Sequence, residues 1–135
     1  MDQVSMGFLK TASFTAALSL AMPSALAGNQ TSPLPAMPSS TPAQIQLADQ
    51  LQEAGLKYYG SWRCPACHYQ GRLFGKEATE RLPYVECAKP EELPLEAMAC
   101  RAVSIRAFPT WIHPSGERRE GVQSLPALEA WLNTP

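Results

Sequence analysis

The chain has 135 residues, enough for one domain, and a formal net charge of −1. That balance offers no basic field to hold a phosphate backbone and argues against a nucleic-acid role. The composition is that of a globular protein apart from 13 prolines, several crowded ahead of residue 43. Lys10 precedes an uncharged run from Thr11 to Met22, and Ala25 and Ala27 then form the small-x-small pattern of a signal-peptidase site. Residues 1–27 are therefore expected to be a signal peptide cleaved after Ala27. The apolar run is well short of the roughly 20 residues that span a bilayer, which disfavours a membrane anchor. Residues 28–40, GNQTSPLPAMPSS, carry prolines that break helix and sheet alike and show no apolar period. They are expected to be a flexible linker to a folded domain over 41–135.

Thr41-Pro42-Ala43-Gln44 predicts a helix start. Thr41 caps, Pro42 suits the first helical position and Gln44 completes a capping box. Ile45, Leu47, Ala48 and Leu51 give that helix an apolar face, and Gly55 is a plausible stop. LKYYG (56–60) predicts a short strand, and a helix is expected from Cys64 to about Arg81, weakened by Gly71 and Gly75. PYVEC (83–87) predicts a second strand and Pro94 to Val103 a helix. FPTWIH (108–113) predicts a third strand, which the Pro114-Ser115-Gly116 turn folds back into an antiparallel fourth, ERREG (117–121). Ser124 caps a final helix from Leu125 to Leu132. From residue 56 the order is βαβαββα, with one extra helix in front.

The four cysteines, Cys64, Cys67, Cys87 and Cys100, all lie in the expected exported domain, where thiols tend to oxidise. Four cysteines allow three pairings. The close pair Cys64 and Cys67 could exchange electrons, close a structural disulfide or hold a metal. A four-residue loop closes little chain entropy, which makes a purely structural bond weakly stabilising. A zinc site wants a second close pair, whereas Cys87 and Cys100 are far apart in sequence and His68 is out of pattern, so no metal is expected.

The element order, with WRCPAC at the junction of the first strand and its helix and FPTW opening the penultimate strand, resembles the thioredoxin fold over most of residues 44–133. Within that superfamily the run YYGSWRCPACHYQ, LFG, LPYVEC and FPTW is most similar to the thioredoxin-like domain of bacterial and plant vitamin K epoxide reductase homologues. The resemblance implies an α/β thioredoxin-like fold and an exported thiol–disulfide oxidoreductase. Cys64 and Cys67 would be its redox-active, catalytic disulfide and Pro109 a cis-proline beside it. It implies cysteine-containing exported proteins as substrates and a vitamin K epoxide reductase-like membrane protein as redox partner. A monomer without cofactor is expected, in the periplasm, or the thylakoid lumen if the source is photosynthetic. The other reading is a non-catalytic thioredoxin-like binding module whose CxxC is a structural clasp.

With Cys64 at the first turn of its helix, orphan N–H groups and the macrodipole favour a thiolate there. Arg63 is expected to be thiolate-stabilising. Cys67, one turn on, is the expected resolving thiol. Cys87 ends a strand and Cys100 lies on the next helix; a structural disulfide between them is expected, with free thiols or an electron relay as the other readings. Trp62, Tyr59, Phe74 and Trp111 are expected in core and site rim, and His68 and His113 on the surface. The chain departs from the thioredoxin pattern at Arg63, where tryptophan is usual, and at Tyr58, where that family carries a buried acid. The Pro65-Ala66 dipeptide leaves the redox potential unread.

Overall fold

The computed structural model describes residues 35–134. The expected signal peptide and residues 28–34 of the expected linker lie outside the described residues. The linker's last six residues, 35–40, differ from a free tether. The Pro35 carbonyl accepts from Arg72 Nη1 at 2.8 Å and the Pro38 carbonyl from Lys76 N at 2.8 Å. Ser40 Oγ accepts from Ala78 N at 2.9 Å. Prolines keep this segment out of helix and sheet, and two of its carbonyls meet donors of the following domain.

Helix α1 spans Pro42–Glu53, with the expected capping box between Thr41 and Gln44 in place. It buries Leu47, Ala48 and Leu51. Strand β1 (Lys57–Gly60) follows the turn at Gly55. The helix expected over 64–81 is instead two. Helix α2 runs from Pro65 to Phe74 and α3 from Lys76 to Thr79, divided at Gly75 with φ 83° and ψ 174°. That conformation is open essentially to glycine alone. A Cβ at Gly75 would also sit 2.7 Å from Ser40 Oγ and 2.9 Å from Ser40 Cα. The break is where the 35–40 segment crosses the helix.

Strand β2 (Tyr84–Glu86), helix α4 (Pro94–Ala102), strands β3 (Thr110–Ile112) and β4 (Arg118–Glu120) and helix α5 (Leu125–Leu132) complete the chain. The sheet order is β2-β1-β3-β4, with β2 parallel to β1 and the other neighbours antiparallel. The β3–β4 connection turns at Gly116, whose φ is 89°. Helix α1 packs on α2, α3 and α5, while α4 packs on β2.

The core gathers Leu47, Leu51, Leu56, Tyr58, Phe74, Leu128, Trp111 and Trp131. Tyr58 and Trp111 face each other across β1 and β3 and stack at 4.4 Å between ring centroids. Such direct aromatic pairs add stabilisation beyond the apolar area they bury. Cys87 and Cys100 are joined by a disulfide with Cα atoms 5.7 Å apart. It ties the chain just after β2 to α4. Phe74 and Trp111 are wholly buried, Tyr59 nearly so, and Trp62 is exposed. His68 is exposed, whereas His113 is half-buried, its ring 5.5 Å from that of Trp131.

Candidate active site

Strand β1 ends at Gly60, and Ser61, Trp62 and Arg63 form the loop that leads into α2. Cys64 is the N-cap of α2. Its backbone is extended (φ −82°, ψ 116°), and its Sγ accepts the Cys67 N–H at 3.4 Å. Pro65 fits the first helical position because the N–H there has no intrahelical partner. The sulfur thus sits at the positive end of the helix, where unpaired N–H groups point outward. On the other side of Cys64 the Phe108–Pro109 peptide is cis, and the Phe108 carbonyl accepts from Cys64 Sγ at 3.7 Å. Pro109 is buried and Phe108 is 38% exposed.

Cys67 lies one turn further in and is 6% exposed, whereas Cys64 is half-buried. Burial pushes the Cys67 thiol up to about 11; the Ser61 backbone opposes the shift and neighbouring Cys64 adds to it. The two sulfurs therefore differ in kind: an accessible one at a helix end, and an enclosed one held protonated behind it. A cavity of about 450 Å³ adjoins Cys67, with Tyr58, Trp62, Tyr84 and Met37 in its wall. Gly60 matters here, because a Cβ on it would lie 2.6 Å from the Tyr84 ring and 3.1 Å from Cys67 Sγ.

Tyr58, which stands where the resembled family carries a buried acid, donates its hydroxyl to the Cys67 carbonyl at 3.2 Å. Burial, followed by the charge of Cys67, moves its phenol far above the ordinary tyrosine range. Tyr58 is thus a neutral donor in the pH range of thiol chemistry. Arg63 turns its guanidinium over the indole of Trp62, 4.7 Å from the ring centroid, and Lys89 approaches the same ring at 5.1 Å. The cation expected to stabilise the Cys64 thiolate thus stacks on an aromatic face, an arrangement an exposed indole favours.

Sequence reasoning missed Glu86. It is 4% exposed, and its carboxylate accepts from Trp62 N at 2.8 Å, Tyr84 Oη at 2.8 Å and Ala88 N at 2.7 Å. The available signal was a lone carboxylate inside the otherwise apolar PYVEC strand. Among the described residues, no group of three or more His, Cys, Asp or Glu is placed to hold a metal ion. No helix among the described residues is long and apolar enough to cross a membrane.

No family model matches the chain. Over 79 residues, 55% of the chain, it is 40% identical to the thiol-disulfide oxidoreductase LTO1 of Arabidopsis thaliana. The chain spans 20% of that relative's length. Sheet order, the CxxC at the junction of β1 and α2 and the cis-proline facing it all agree on one architecture: the chain has a thioredoxin-like fold.

Proposed function

We propose that the chain is an exported thiol–disulfide oxidoreductase that exchanges disulfides with cysteines of other exported proteins. The observation that carries this reading is the pairing of Cys64 at the N-terminus of α2 with the Phe108 carbonyl, while Cys67 stays enclosed one turn behind. The similarity to LTO1 supports the same activity.

In the reducing direction the Cys64 thiolate attacks one sulfur of a partner's disulfide. A mixed disulfide forms and the partner's other cysteine leaves as thiolate. Cys67, once deprotonated, then attacks Cys64 Sγ, which releases the reduced partner and closes the Cys64–Cys67 disulfide. The oxidising direction runs the same two steps backwards. The Phe108 carbonyl offers a main-chain acceptor beside Cys64 against which a partner's backbone can align. Export rests on the pattern of residues 1–27. A vitamin K epoxide reductase-like membrane protein as electron partner rests on the family resemblance alone. The periplasm is the proposed compartment, or the thylakoid lumen for a photosynthetic source.

Cys64→Ser should abolish exchange, and Cys67→Ser should accumulate mixed disulfides with protein partners, visible as reducible adducts on a non-reducing gel. A Cys67→Ser variant that turned over substrate like the parent would refute the resolving role. A Cys64 that reacts no faster than a buried structural thiol would point instead to a binding module with a CxxC clasp.

A further inference from the structure

The loop that presents Cys64 is held at Trp62 from both sides. Its N–H donates to the Glu86 carboxylate at 2.8 Å, and its carbonyl accepts from His68 Nε2 at 2.6 Å. Both oxygens of Glu86 are occupied, one by Trp62 N and Tyr84 Oη, the other by Ala88 N. Such a carboxylate is held by charge-assisted bonds, and its loss would leave two main-chain donors without a partner. Glu86 is itself braced from behind. Its N–H donates to the Glu96 carboxylate at 2.6 Å, from the first turn of α4, and the Cys87–Cys100 disulfide ties the same helix to the next residue.

The Tyr84 hydroxyl links that carboxylate to the surroundings of Cys67. Tyr84 Oη, bonded to Glu86, and Cys67 Sγ lie 3.3 Å and 3.1 Å from one point, the place a Cβ on Gly60 would occupy. A disulfide is neutral, whereas the reduced pair carries negative charge whenever one sulfur ionises. A fixed carboxylate nearby therefore weighs against the reduced form, and more strongly in a partly buried site than in water. We propose that Glu86 is a positioning residue of the redox pair, which clamps the Ser61–Arg63 loop to β2 and biases Cys64 and Cys67 toward their disulfide. The assignment rests on the oxidoreductase reading given above.

The test equilibrates the parent, Glu86→Gln and Tyr84→Phe with glutathione redox buffers at pH 7 and reads the state of Cys64 and Cys67 by alkylation and mass. Glu86→Gln should shift the equilibrium toward the dithiol by about 3- to 10-fold, or about 14–30 mV at 29.6 mV per tenfold for this two-electron couple. Tyr84→Phe removes a donor that partly neutralises the carboxylate, so it should shift the equilibrium the other way, by about 2-fold. Tyr84 is 38% exposed and keeps its ring in this variant, so it carries the test alone if Glu86→Gln fails to fold. A merely structural Glu86 would lower the melting temperature and leave the equilibrium constant in place. Variants that match the parent constant within about 1.5-fold overturn the assignment. A parent protein that never equilibrates with glutathione overturns the oxidoreductase reading, and the assignment with it.

Discussion

Replacing both Cys87 and Cys100 by alanine removes the link between the end of β2 and α4. The two residues are 13 apart in sequence, so their bond closes a short loop in the unfolded chain. The loop-entropy relation gives about 3 kcal/mol at 25 °C for a loop of that size. For a domain of about 100 residues each kcal/mol moves the melting temperature by about 4–8 °C, so the double variant should melt about 12–24 °C below the parent. Circular dichroism melts without reductant measure this directly, and the parent with its disulfides reduced should fall toward the variant. Exchange at Cys64, assayed well below either melting point, should remain largely intact, since neither sulfur of this bond is placed at the Phe108 carbonyl. Full stability with lost exchange would refute the reasoning and make the bond an electron relay.

Three further outcomes follow from the geometry. Gly75→Ala forces a side chain into a conformation that costs about 1–3 kcal/mol in the backbone alone, and its Cβ would meet Ser40 Oγ at 2.7 Å; denaturant melts should show at least that loss, and an unchanged midpoint would deny the crossing of 35–40 over the helix. In the reduced protein Cys67 keeps its proton up to about 11, against an ordinary 9.0. The unfolded chain therefore ionises first, and stability present below pH 9 should fall by about 2 kcal/mol as pH rises to 11, relative to Cys67→Ser. Arg63→Ala should change the alkylation rate of Cys64 by less than about 3-fold, because the guanidinium is engaged with Trp62 at an exposed face; a much larger fall would restore it as the thiolate's partner.

The element order was legible because local chemistry and tertiary packing agree. Thr41 and Ser124 cap the helices they precede, and aromatic or β-branched residues mark β1, β2 and β3. The split of the second helix was only half legible. Gly75 is visible in the sequence, but what makes it a break is Ser40 of a segment that reads as a tether, and that contact is long-range. The stacking of Arg63 was not legible for a related reason: adjacency to Cys64 in sequence says nothing of which way a long flexible side chain turns, and an exposed indole lay within reach. Glu86 was hidden because its donors come from three places, the β1–α2 loop, β2 itself and the turn after Cys87. Tyr84 and Ala88 are near it in sequence, but the parallel pairing of β2 with β1 is what brings Trp62 N to it.

The chain has three tryptophans, and the fold separates them sharply. Trp111 and Trp131 are 0% and 1% exposed, whereas Trp62, two residues before Cys64, is 46% exposed. An aqueous collisional quencher therefore reaches one indole and misses the other two. Arg63 and Lys89 above that ring will draw iodide toward it and repel caesium. The difference between the two quenchers isolates the emission of the redox loop from that of the core, without any label. On the proposed oxidoreductase reading, a partner docked over Cys64 should shade this fluorophore, so its binding could be followed optically even where Cys64 and Cys67 have both been replaced and no exchange can occur.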